Sequence, residues 1–147
     1  MDFTFVDNSE ELKRKVEENA ERALMAVGLQ CEGYAKLELE RSPRRVDTGL
    51  LRNSITYAIS NKPPQVTSYH GSNPSKRSGV KAVPIGFYSG NAPNDGDNLA
   101  VYVGTNVEYA LYVHDGTSRM AANRFIKNAL YNHVSTYQKI LIEYLNM

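Results

Sequence analysis

Asp47-Thr48-Gly49 is the first place in this chain where residue types and spacing suggest chemistry. In retroviral-type aspartic proteases this tripeptide supplies one carboxylate from each of two chains, and the pair shares a proton. That chemistry needs the motif in a buried apolar loop of an almost wholly β chain. Here Arg44, Arg45 and Arg52 surround it and helical patterns bracket it, so the simpler role is structural: Asp47 caps a helical turn by accepting backbone hydrogen bonds. The histidines, His70, His114 and His133, form no HxxxH or HxH pair, and His114-Asp115 lacks a third ligand at turn or helical spacing. No Gly-x-Ser-x-Gly elbow holds a nucleophile. Val103-Gly104-Thr105 lacks the further glycines and the Lys of a phosphate cradle, so Gly104 is expected to end a strand or admit a close backbone. No catalytic residue, cofactor site or metal site is expected.

A binding role is the next possibility. Tyr102, Tyr109, Tyr112 and Phe125 could stack on bases, with Arg119, Arg124 and Lys127 as phosphate partners, which makes a nucleic-acid-binding module the alternative reading. Tyrosines beside a strand and a helix more often pack with their hydroxyls at the rim, and this set has no dense basic companion. The net charge is only +1 with 22% charged residues, so no global field draws the chain to DNA or to an anionic membrane. Cys31 is the single cysteine, which excludes an intrachain disulfide and a multi-cysteine zinc site. It falls on an apolar stripe and is expected in the core. The N-terminus has no basic and apolar leader pattern, and no apolar run approaches the ~18 residues of a membrane span. A soluble protein without membrane contact is expected.

The elements that would position these residues follow from periodicity. Asn8 is an N-cap candidate, with Glu11 completing a capping box and Val6 as a staple. Apolar residues then recur at Leu12, Val16, Ala20, Ala23, Leu24, Val27, Cys31, Tyr34 and Ala35, one stripe of a helix. If it continues to Arg41 it is about 50 Å long, more than the core of so small a domain covers. Part of the stripe must therefore meet another chain or hang free. Gly28 and Gly33 are candidate bends, and Ser42-Pro43 stops the helix. A short turn at 48–53 under Asp47 and a strand at 54–60 follow, with Ile55, Tyr57 and Ile59 on its buried face.

Residues 61–98 change to Pro, Gly, Ser and Asn with scattered Lys, too long a stretch for an ordinary connection. β character at 65–69 and 80–88 predicts a long hairpin-like, partly mobile arm. Its Lys62, Tyr69, Lys76, Arg77 and Lys81 join Tyr109, Tyr112 and Arg119 as candidate subunit or partner contacts. Residues 99–105 alternate as a second core strand. Tyr109, Tyr112 and Val113 fit a short helix at 108–114, closed by an Asp115-Gly116-Thr117 turn. From Asn123, Ile126, Leu130, Val134, Tyr137, Leu141 and Tyr144 predict one C-terminal amphipathic helix. The expectation is a single α+β domain over 1–147: a long N-terminal helix, a small mainly antiparallel sheet with a hairpin-like arm, and a C-terminal amphipathic helix.

Four fragments in this order resemble the gene-product-ten-like family of tailed-phage proteins: Val46-Asp47-Thr48-Gly49-Leu50-Leu51-Arg52-Asn53-Ser54-Ile55, Val103-Gly104-Thr105-Asn106-Val107-Glu108-Tyr109-Ala110, Val113-His114-Asp115-Gly116-Thr117, and Met120 through Phe125 to Leu130. The chain departs from the family where His114-Asp115 replaces a Glu and an aromatic, and in its longer arm. The resemblance implies a structural virion protein of the neck, joining head connector to tail in tail completion or head-to-tail joining. It implies a homo-oligomeric ring around the DNA channel, with a connector or adaptor protein on one side and a tail terminator or tail tube protein on the other. Assembly would take place in the host cytoplasm. Asp47, Thr48, Gly49, Gly104, Gly116 and Thr117 would fix its turns and caps. Double-stranded DNA would pass through without specific binding, which a near-neutral chain suits because grip on the backbone grows with each phosphate neutralised.

Overall fold

In the computed structural model the described residues are 7–41, 45–46, 49–60, 65–70, 85–90 and 99–146, with 65–70 and 85–90 described as backbone only. The axis of the fold is α1, Ser9–Glu40, an uninterrupted helix about 48 Å long at ~1.5 Å per residue. Asn8 stands at its N-cap, but its side chain makes no capping bond. The capping box is replaced by Asp7, whose Oδ1 accepts from Ser9 N at 2.9 Å. The Ser9 hydroxyl first, and then this backbone bond, hold the Asp7 carboxyl below its usual range. Neither glycine interrupts the helix. A Cβ on Gly28 would stand 2.7 Å from Val101 Cγ2 and 3.0 Å from the Tyr57 ring, whereas one on Gly33 meets nothing. Gly28 therefore lets α1 lie tightly on the sheet, a close approach in place of the expected bend.

α2, Leu50–Ser54, follows Gly49, which adopts φ 87° at the N-cap position. It runs one residue further than the predicted turn, so Ile55 is not a strand residue but the C-cap of α2, 1% exposed in the core. Asp47 and Thr48 lie outside the described residues. β1, Thr56–Ile59, pairs antiparallel with the later strand Val101–Gly104, Thr56 opposite Gly104 and Ile59 opposite Val101. The predicted one-sided alternation gives way to burial of Ala58, Ile59 and Ser60 together. Ser60 extends the pairing by exchanging bonds with Ala100, its Oγ accepting from Ala100 N at 2.9 Å.

The arm contains a ribbon. β2, Gln65–His70, pairs antiparallel with β3, Ile85–Gly90, in register from Gln65 opposite Gly90 to His70 opposite Ile85. It is a separate two-stranded sheet lying beside α2. Val101–Gly104, now β4, is followed by α3, Ala110–Asp115, the predicted short helix.

The single C-terminal helix is corrected to two: α4, Phe125–Tyr131, and α5, Val134–Leu145, separated at Asn132 and His133. The break resets the helical phase. Phe125, Ala129 and Tyr137 are buried, while Leu130 and Val134 of the predicted stripe are 47% and 44% exposed. His133 at the break stacks flat on Tyr34 of α1, ring centroids 3.5 Å apart. The core thus gathers Cys31, Ala35 and Leu39 of α1 with Val46, Leu51, Ile55, Ala110, Val113, Phe125, Ala129 and Tyr137. Burial raises the titration points of both Cys31 and Tyr137 above their ordinary values.

Candidate assembly surface

α5 fixes which part of α1 is covered. His133 stacks on Tyr34, and Tyr137, one turn further along, reaches Tyr34 and Cys31, so α5 runs antiparallel to α1. Eight residues after Tyr137, about 12 Å on, α5 ends at Leu145, level with the region of Ala23. Ala23 is the first fully buried residue of α1, and from Ser9 to Glu18 every residue is exposed. The expected overhang is present, about 15 Å of helix projecting past the core. It carries Leu12 at 63% and Val16 at 53% exposure.

Val16 precedes Tyr34 by five full turns at 3.6 residues per turn, so it lies on the same line of the helix. The apolar seam that receives α5 thus continues uncovered through Val16 and Leu12. At ~100° per residue, Lys13 and Lys15 flank this stripe on either side, while Glu10, Glu11, Glu17 and Glu18 face away from it.

A second exposed apolar face belongs to α3. Ala110 and Val113 are buried, leaving Leu111 at 65% and Tyr112 at 60% exposure, with Tyr109 at 43%. Tyr109 and Tyr112 are therefore not packing residues; the inward positions went to the smaller Ala110 and Val113. Tyr102 on β4 is half-buried. Glu108 and Asp115, both exposed, bracket Leu111 and Tyr112 at i, i+3, i+4, i+7 spacing. Arg119 is exposed in the turn that follows.

Gly116 caps α3 at φ 80°, ψ 172°, a region open in practice only to glycine. A Cβ there would lie 2.8 Å from Ala122 N. Thr117 pairs with Met120 and its Oγ1 accepts from Arg119 N at 3.2 Å. Gly104 ends β4, one of the two roles open to it from the sequence, and a Cβ there would meet nothing within 4 Å. The strap that follows is tied to the end of α1: Arg45 Nη2 donates to Ala121 O at 2.8 Å and Asn123 Nδ2 to Glu38 O at 2.9 Å. Lys62, Lys76, Arg77 and Lys81 lie outside the described residues. Tyr69 is placed by its backbone pairing with Gly86.

Both nitrogens of His114 are engaged. Nε2 accepts from Lys127 N at 3.3 Å, which leaves the proton on Nδ1, 2.9 Å from Asp115 Oδ1. Among the described residues no group of three His, Cys, Asp or Glu is placed to hold a metal ion, and no helix is long and apolar enough to cross a membrane. The features periodicity overlooked were visible as spacing. Met25, Leu29 and Leu37, all exposed, recur every fourth or eighth residue opposite the core stripe, and the two carboxylates bracket Leu111 and Tyr112.

A surface of exposed apolar helix faces is the observation to set beside the comparison with known families. The family model described as "Bacteriophage HK97-gp10, putative tail-component" matches residues 3–116, more than three-quarters of the chain. The chain belongs to this HK97-gp10-like family. The match includes α1, both ribbons and α3 and ends at Gly116, so α4 and α5 lie beyond it. Comparison with curated proteins and with solved structures returns no match. Family membership makes the chain a structural component of a phage tail, a constituent of the virion that works in contact with other virion proteins.

Proposed function

We propose that this tail component sits at the neck of the particle, completing the tail and joining it to the head connector as a homo-oligomeric ring around the DNA channel. The observation that carries this reading is the overhang: the principal helix extends about three turns of apolar stripe past the core, left exposed by the other described residues, and an apolar face of this kind marks a protein contact. Leu12 and Val16 are exposed at one end of the molecule and Leu111 and Tyr112 on a different element. Unlike surfaces of this kind support head-to-tail contacts, which form a ring when the rotation between successive copies closes. The connector or adaptor would meet one rim, and the tail terminator or tube the other.

The test is a phage lacking this gene product. Filled heads and separate tails, rejoined by supplying the protein, are expected under the electron microscope; normally joined particles would overturn the reading. In a reconstruction of the particle, density for this chain should encircle the channel at the neck, and density confined to the distal tail would count against it.

The exposure of Tyr109 and Tyr112 favours a second reading, a nucleic-acid-binding module. Glu108 and Asp115 beside them repel phosphates and weigh against it. Retention of single-stranded DNA by the purified protein, lost steeply as salt rises, would establish it.

A further inference from the structure

The overhang and the α3 face are both apolar, and their flanking charges are opposite. Leu12 and Val16 form an apolar pair flanked by Lys13 and Lys15; Leu111 and Tyr112 form an apolar pair flanked by Glu108 and Asp115. We infer that the α1 overhang of one copy packs on the α3 face of the next, basic flanks against acidic ones, as the repeated contact of the assembly. The inference rests on the ring reading above and specifies its interface.

Three observations select this occupant. First, the uncovered stripe continues the α1 and α5 seam along one line of the helix, so the surface is already of the kind that receives a helix. Second, two overhangs pairing with each other would set Lys13 and Lys15 of one copy against the same lysines of the other, a like-charge arrangement that disfavours a symmetric dimer. Third, on α3 the inward positions are taken by Ala110 and Val113, and Leu111 and Tyr112 stand outward, uncovered by the other described residues. The two surfaces lie on different elements, so each copy offers one of each and the contact is heterologous.

The test uses the full chain and two exposed substitutions, Val16→Asp and Leu111→Asp, with circular dichroism to show that each variant is folded. Wild-type protein is expected to sediment as a closed oligomer. Each variant should sediment as a monomer, its self-association weakened roughly tenfold or more by a charge placed at an apolar contact. Mixing the two variants should restore one contact only and yield a 1:1 dimer. As a second readout, Leu12→Cys combined with Leu111→Cys should give an oxidised ladder of covalent multimers, while either cysteine alone should not. Cys31, at 4% exposure, is shielded from this reaction.

Variants that remain oligomeric, or a Leu12→Cys single variant that forms dimers, overturn this interface while leaving the ring standing. Wild-type protein that is monomeric in solution, with no ladder from the double-cysteine variant in assembled tails, overturns the interface; a particle reconstruction with no density for this chain around the channel overturns the ring reading and the interface with it.

Discussion

The hydroxyl of Tyr137 donates to the carbonyl of Ala129, the acceptor that His133 N–H would take in an uninterrupted helix. The separation of α4 from α5 is thus stabilised from inside the core. The backbone acceptor released by the break is satisfied by a buried side chain, and His133 is free to lie flat on Tyr34. An unsatisfied carbonyl there would carry a desolvation cost comparable to a lost hydrogen bond.

Tyr137→Phe keeps the ring and removes the hydroxyl, with its bond to Ala129 O and its contact with the Cys31 thiol. It should cost about 1–2 kcal/mol. A fall of several degrees in thermal midpoint, read by circular dichroism, is expected, and an unchanged midpoint would show the bond to be dispensable.

Alkaline pH should act at the same place. Burial raises the folded-state titration points of Cys31 and Tyr137, so the unfolded chain ionises first as pH rises. Stability is then fully present below ~8.5 and declines through pH 10 and above, as the unfolded state loses protons that the folded state retains. Urea midpoints across that range check the sign. The decline should be shallower in Tyr137→Phe, which lacks one of the two groups.

The glycines of α1 should respond oppositely to alanine. Gly33→Ala meets open space and should gain up to about 1 kcal/mol of helix propensity. Gly28→Ala gains the same propensity but drives a methyl into Val101 and Tyr57; overpacking of about 1–3 kcal/mol should leave it less stable than wild type. Chemical denaturation of both variants decides the comparison, and equal effects would refute the close approach of α1 to the sheet.

Gly116→Ala should destabilise by roughly 2 kcal/mol or more, from a backbone region closed to side chains and a clash with Ala122. Gly104→Ala should be nearly silent, because its Cβ meets nothing. Thermal melts of the pair separate the turn that needs glycine from the strand end that does not.

Asn123 tests the tie between the strap and the end of α1. Asn123→Ala loses the bond to Glu38 O and should cost about 1 kcal/mol. Asn123→Asp puts a buried carboxylate against that carbonyl and should cost about 3 kcal/mol at neutral pH. Its folded-state titration point would be raised, so the penalty should shrink as the pH falls and the protonated carboxyl donates where the amide did. A pH-independent difference between the two variants would contradict this arrangement.

The parts of the fold that depend on neighbours along the chain could be read directly from the residues. The ends of α1, the ribbon within 61–98, the short helix after β4 and the glycine turn at 116 each follow from periodicity, a stop signal or a required φ. The excess length of α1 also followed, because rise per residue and chain length are enough to show that the helix outruns its core. The resemblance to the phage family rested on the same local fragments. Tertiary packing decided the rest. It broke the C-terminal helix at Asn132 and His133, because Tyr34 and Tyr137 offer a stack and a bond that no i, i+4 pattern encodes. It turned Tyr109 and Tyr112 outward, because Ala110 and Val113 take the inward positions of α3. It made Gly28 a contact and left Gly33 bare, since the sheet crosses α1 at one and not the other. Which apolar residues are surplus is a property of the assembled core: a hydrophobic side chain becomes a binding surface only when the partners that would bury it are already taken.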